Sequence, residues 1–374
     1  GSVVGNAMDH GIGYSKHGNH ADAVCGMEVV LADGSLLRTG MGAMPDNETW
    51  HLTRRGYGPS ADGLFMQSNF GIVTSIGYWC MQEPEIYMPC WAFLDSDDQV
   101  APFMDALRPL MMDGSIPNIP SMFNALGAIG FVGEHDRANV YQGEGPVPQD
   151  VAETYAREHI GIQAWNMRFA LYGAETVVDA QFAVIKETLE RVPGVTIVGQ
   201  KFPGGDLPVE HFDQNLKVQA CVPDMSMLEA TKFGTQGRGG HMTFSSLVPL
   251  TGGAAEKVRD LVRSRVEGVG LDYTATFIIF PRHIVHVAVI VFDLETEAAD
   301  HAYETCRRMI AELGEMGYAE YRAHVDYMDL VASLFDFNDH AQLRFNERLK
   351  DALDPQGILS PGKQGIWPRR LRDS

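Results

Sequence analysis

Three short segments of this chain carry side chains suited to chemistry. The first is Gly237-Arg238-Gly239-Gly240-His241-Met242-Thr243-Phe244. Glycines directly ahead of a histidine let the backbone lie close against a flat ligand. The residues after it read as a strand, which holds an imidazole rigidly. A neutral imidazole is a nucleophile, so His241 can bond to an electrophilic carbon of a bound ring. The bland alternative is a turn whose histidine is merely exposed or hydrogen-bonded. The second segment is Glu320-Tyr321-Arg322. Neighbours in a regular strand point to opposite faces, but a bend or strand end lets both reach one site. A phenolic hydroxyl beside a guanidinium suits an oxyanion. The alternative is an ordinary surface tyrosine and an ion-paired arginine. The third holds Arg282, His283 and His286, at a break between two apolar runs. His286 lies among Val285, Val287 and Val289 and reads either as a satisfied core histidine or as a site group. The His-x-x-His spacing has no acidic third ligand, so no metal site is expected.

These residues need a scaffold. Met27 to Leu31 and Leu36 to Arg38 read as a hairpin about Ala32-Asp33-Gly34. A short helix is expected over 62–67 and a strand over 72–79. Helical periodicity marks 98–112, 149–160, 176–191, 296–316, 325–335 and 340–352. Strands are expected at 164–172, 195–199, 240–247, 273–280 and 284–292, the last two broken at Phe280-Pro281-Arg282. Strands and helices mix without strict alternation, which makes the fold class α+β. The glycine-dense first ninety residues differ in composition from the residues beyond Pro89.

The net charge of −20 argues against nucleic acid and an anionic membrane surface. The 374 residues allow one or two domains. Five scattered cysteines form no C-x-x-C pair and read as apolar thiols in a reducing compartment. No apolar run is long enough to span a bilayer. The glycine-rich opening lacks the strand–GxGxxG–helix order of a dinucleotide fold.

Several stretches resemble the vanillyl-alcohol oxidase and 4-cresol dehydrogenase family, which includes eugenol oxidase. They are Gly1-Ser2-Val3-Val4-Gly5-Asn6, the run from Cys25 to Gly34, Arg38-Thr39-Gly40-Met41-Gly42 and Gly71-Ile72-Val73-Thr74. Later come Glu320-Tyr321-Arg322, Asp354-Pro355 through Gly362-Lys363, and Gly365-Ile366-Trp367. They occur from end to end, in the family's order.

The resemblance implies an FAD-binding domain, incomplete at its N-terminus, interrupted by an α+β cap. It places the FAD domain at 1–90 and 319–374 and the cap at 91–318. It implies FAD bonded covalently to His241, with Gly5, Asn6, Gly11, Gly18, Ile72, Val73 and Lys363 holding the rest of the cofactor. Tyr321 and Arg322 would clamp a phenolate, with Arg282 and His286 in the substrate region. The implied reaction oxidises para-substituted phenols, 4-alkylphenols or 4-hydroxybenzyl alcohols, by hydride transfer to flavin N5 through a quinone methide. Oxygen would be the acceptor, giving hydrogen peroxide, because the dehydrogenases carry tyrosine where His241 stands. The alternatives are a dehydrogenase passing electrons to a cytochrome, an FAD oxidase of another alcohol, hydroxy acid or sugar, and a catalytically dead piece. A homo-oligomer in the cytoplasm is expected, completed by an N-terminal segment of the same protein that supplies a further phosphate loop. Ser15-Lys16-His17-Gly18-Asn19-His20 and Pro281-Arg282-His283-Ile284-Val285-His286 depart from the family's oxidases.

Overall fold

A computed structural model describes residues 2–134, 136–235 and 238–372. Gly1 and Gly237, each part of a motif above, lie outside the described residues. The chain divides into two compact units, one of residues 1–13, 17–81 and 322–374, the other of 14–16 and 82–321.

The first unit is built on a three-stranded antiparallel sheet of β1 (Val24–Val30), β2 (Leu36–Arg38) and β3 (Ile72–Tyr78), with β1 central. Gly34 makes the β1–β2 turn possible, since its φ of +84° is a left-handed conformation. Asp33 braces the same turn by accepting from the Ser35 N–H at 2.9 Å and its hydroxyl at 2.6 Å. Met27, Val29, Phe65, Phe70 and Ile366 form the core. The C-terminal segment carries a fully buried ion pair, Lys350 to Asp354 at 2.8 Å, and is tied to the rest of the unit by Asn69, whose Nδ2 donates to the carbonyls of Ser360 and Ile366. Lys350 Nζ also donates to the carbonyls of Asn69 and Leu359 at 2.8 and 2.6 Å, so the buried charge is fully solvated by protein.

The second unit is a nine-stranded antiparallel sheet. Its strands are β4 (Ile86–Leu94), β5 (Ser121–Asn124), β6 (Trp165–Gly173), β7 (Val195–Gly199), β8 (Phe202–Pro203), β9 (Gly239–Pro249), β10 (Ala275–Ile279), β11 (His283–Asp293) and β12 (Ala319–Glu320). They run in the order β12-β9-β11-β10-β5-β6-β4-β7, with β8 beside β4. Helices Glu175–Leu189, Gly252–Glu267 and Ala298–Glu315 pack on one face, with Val100–Met112 against two of them. The other face meets helices Ala125–Phe131 and Gln214–Gln219 and the 3-10 segment Ser226–Lys232.

Most expected strands and helices form within a few residues of their predicted ends. β4 and β5 carry no such signal. Pro89 looks like a strand breaker, yet it lies one residue beyond the ladder to β7, which begins at Cys90, so its missing N–H disturbs nothing there. The units divide at 81/82 and 321/322 because β4 and β12 are strands of the large sheet. The expected boundaries lay nine residues later and three earlier. All five cysteines are free.

Candidate active site

The face of the large sheet that meets the helix Ala125–Phe131 carries an apolar cavity of about 240 Å³. Strand alternation builds its wall. His241 and Thr243 of β9 pair with Val291 and Val289 of β11, and Val287 pairs with Thr276 of β10, which pairs with Phe123 of β5. All of these side chains line the cavity, with Ile278 and Tyr14. Met242 and Phe244, the alternate residues of β9, are buried on the opposite face. Leu126, Gly130 and Phe131 of the covering helix and Leu228 and Ala230 of the 3-10 segment form the roof. Gly130 lies against Ala230, and a Cβ there would stand 3.4 Å from the Ala230 Cβ.

His241 is exposed on this wall. Eleven consecutive ladder pairs hold β9 to β11, so the imidazole stands on a rigid support. The structure does not bring His286 or Arg282 to the cavity. His286 shares the parity of Ala288 and Ile290 and is fully buried on the helix-covered face. Its Nε2 hydrogen-bonds the Tyr273 hydroxyl at 2.9 Å, and its ring meets Phe277 edge-on at 5.2 Å. Burial, with Arg263 adding to it, pushes its pKa down to about 3, so it stays neutral. Arg282 is exposed at the β10–β11 turn, where its carbonyl accepts from the Leu250 N–H.

Tyr321 follows β12, and its N–H donates to the Ser245 carbonyl of β9 at 3.3 Å. That anchor lies four residues, about 13 Å, along β9 from His241. The preceding Glu320 turns to the helix-covered face, where its carboxylate accepts from the Ser245 N–H at 2.9 Å. Burial pushes the Glu320 pKa up to about 7. Arg322 begins the return into the first unit.

In the first unit Gly5 and Lys363 share a cleft of about 240 Å³ with Met8, Asp9, Phe65, Gln67 and Ser68. Lys363 Nζ stands 3.4 Å from Asp9 Oδ1. Gly11 donates its N–H to the Asn6 carbonyl at 2.7 Å, and Gly18 accepts from Gly13 at 2.7 Å. A Cβ on Gly11 would sit 1.9 Å from Asn6 Oδ1, so a side chain there would displace the Asn6 amide. Ile72 is exposed on β3, and Val73 packs against the core.

Residues 237–364 match the family described as FAD linked oxidases, C-terminal domain. The chain is similar to the flavoprotein subunit of 4-cresol dehydrogenase [hydroxylating] from Pseudomonas putida, 33% identical over 97% of this chain and 68% of that protein. It is also similar to the solved 4-ethylphenol oxidase of Gulosibacter chungangensis in its isoeugenol complex. There the identity is 34% and the TM-score 0.91, over 100% of this chain and 71% of the other. Substrate-bound p-cresol methylhydroxylase superposes with a TM-score of 0.90 at 32% identity, over 98% of this chain and 69% of that one. The chain belongs to the vanillyl-alcohol oxidase and 4-cresol dehydrogenase family. It is an FAD-linked oxidoreductase with the family's α+β fold. The more distant alkyldihydroxyacetonephosphate synthase, 11% identical with a TM-score of 0.54, shares the fold alone.

FAD is the family's cofactor, and the residues present fit it. The cleft in the first unit holds the Lys363 ammonium, a cation suited to a phosphate, beside Asp9 and the Gly5 backbone, whose N–H donates to Ser2 Oγ at 3.0 Å. The second unit offers an exposed imidazole on an apolar wall. Among the described residues no group of three His, Cys, Asp or Glu side chains is placed to hold a metal, and no helix is long and apolar enough to cross a membrane. Sequence alone did not point to Tyr14, Phe123, Thr243, Thr276 or the β11 valines. Thr243 was reachable, because it stands two residues after His241 on a strand. Phe123 was not, because β5 carries no legible period.

Proposed function

We propose that this chain, with FAD bound, oxidises para-substituted phenols at the benzylic position with oxygen as acceptor, giving hydrogen peroxide. The observation that carries this is the exposed His241 on the wall of an apolar, ring-sized cavity. The names of its relatives, 4-cresol dehydrogenase and 4-ethylphenol oxidase, support the substrate class. In this reading the first unit holds most of FAD through Gly5, Asn6, Gly11, Gly18, Ile72, Val73 and Lys363, and the second is the cap. His241 is the covalent tether. FAD, when bound, supplies the hydride acceptor.

The chain's own residues do the rest. Val287, Val289, Val291 and Ile278 grip the substrate ring and exclude water. Thr274 adds no polar group to that wall, since its hydroxyl donates to the Val289 carbonyl at 2.6 Å. Tyr321 and Arg322 hold the substrate oxygen as a phenolate through charge-assisted hydrogen bonds. The ionised oxygen pushes electron density to the para carbon, so hydride can leave and a quinone methide results. Stabilising that charge is the largest contribution asked of the protein. His241, standing where the family's dehydrogenases carry tyrosine, supports oxygen as acceptor.

The test uses FAD-loaded protein and 4-ethylphenol. The expected result is loss of the oxidised flavin spectrum without oxygen, and steady oxygen uptake with peroxide in air. No spectral change under substrate would refute the phenol reading. Turnover with a one-electron dye but none with oxygen would make the chain a dehydrogenase.

A further inference from the structure

Arg168 interrupts the apolar run Trp165-Asn166-Met167-Arg168-Phe169-Ala170-Leu171. It lies on β6, pairs with Ser121 of β5, and Ser121 pairs with Ile278 of β10. Directly paired residues share a face of a sheet. Ile278 lines the cavity, so Arg168 and Ser121 stand on the cavity's face. The guanidinium is fully buried, 4.4 Å from the centre of the Tyr14 ring and 5.1 Å from that of Phe123. Both rings line the cavity on one side and meet the guanidinium on the other.

Its hydrogen bonding is half complete. Nη1 donates to Asn215 Oδ1 at 2.6 Å, while Nε and Nη2 have no hydrogen-bond partner among the described residues. The Ser121 hydroxyl beside it on β5 is also buried and without a partner there. Burial lowers the arginine's pKa, and the Tyr14 hydroxyl, by charge and hydrogen bonding, and Asp213, by charge alone, oppose that shift. A buried cation with orphaned donors is strongly destabilising and needs a reason to be there. Nε and Nη2 are the two parallel donors along one edge of a guanidinium, the fork that matches a carboxylate's two oxygens.

We infer that the cavity continues past Tyr14 and Phe123 into a polar subsite, where Arg168 receives a carboxylate carried on the para side chain of the phenol. The inference rests on the phenol reading above and names the substrate class within it. Tyr321 is anchored beside β9, and β12 and β6 are five strand steps apart, about 24 Å. The phenolate and carboxylate ends therefore point in opposite directions along the sheet. A carboxylate on an alkyl arm reaches further along that line towards Arg168 than a benzoate does.

FAD-loaded protein is assayed with 3-(4-hydroxyphenyl)propanoate and with 4-propylphenol. The wild type is expected to favour the acid at least tenfold in kcat/KM. Arg168→Met should collapse that ratio at least tenfold, mainly through KM for the acid, and Arg168→Lys should restore part of it. A wild type that favours the uncharged phenol, or an Arg168→Met ratio equal to the wild type's, overturns the inference. Should the methionine variant not fold, the wild type decides alone. Titrated through the flavin spectrum, 3-phenylpropanoate must bind at least tenfold tighter than 3-phenylpropanamide, and equal binding overturns the subsite. If the carboxylate wins while neither phenol is oxidised, the subsite stands and the phenol reading falls.

Discussion

His241 and His286 stand on adjacent strands of one sheet and differ by parity. His241 faces the cavity and is exposed. His286 faces the helices, is sealed against Tyr273 and Phe277, and is held neutral by burial. The same imidazole is a candidate nucleophile on one face and a packing element on the other. The difference teaches that composition around a strand histidine says little, and that whether its face of the sheet borders a cavity or tightly packed helices decides its role.

The largest effect should come from the groups assigned to the substrate oxygen. Tyr321→Phe and Arg322→Ala should each lower kcat/KM for 4-ethylphenol by roughly 100-fold or more, measured as initial oxygen uptake. Loss of less than about threefold in both would remove the phenolate clamp.

The next pair breaks the two faces apart directly. Val289→Phe enlarges a side chain on the cavity wall, while Ala288→Phe enlarges its neighbour in the helix-covered core. Val289→Phe should raise KM about tenfold with little change in melting temperature. Ala288→Phe should destabilise by about 1–3 kcal/mol, seen as a clear drop in melting temperature. The reverse pattern would mean that the cavity face has been misassigned.

The smallest effects are in pH dependence. The His286 pKa falls from 6.5 unfolded to about 3 folded, so its contribution to stability is present above 6.5 and is lost as pH falls toward 3. Glu320 runs the other way. Its pKa rises from 4.5 to about 7, so stability is lost as pH rises from 4.5 through 7. His286→Phe should flatten the acid side of the melting-temperature profile, and Glu320→Gln the neutral side. Unchanged profiles would show that these groups are more hydrated than their burial implies.

Much of this was legible in the residues because regular spacing exposed it. The β1–β2 hairpin announced itself through Asp33-Gly34, and the β10–β11 pair through its β-branched runs either side of Phe280-Pro281-Arg282. His241 was legible because glycines precede it. The side of the sheet that His286 faces was not, since Val285, Val287 and Val289 around it are equally apolar toward helix or cavity. Four-residue β5 shows no period of its own, and Pro89 disguised β4. Arg168 was visible as a charge inside an apolar strand, but its orphaned donors appear only once Asn215 and Ser121 are placed around it.

His241 as the tether of FAD is the claim on which the proposed chemistry turns. The most direct measurement is the mass and fluorescence of the acid-denatured chain from FAD-loaded wild type, His241→Ala and His286→Ala. Flavin mass and fluorescence are expected on the wild type and His286→Ala, and neither on His241→Ala. Flavin retained on His241→Ala, or absent from the wild type, would contradict the tether.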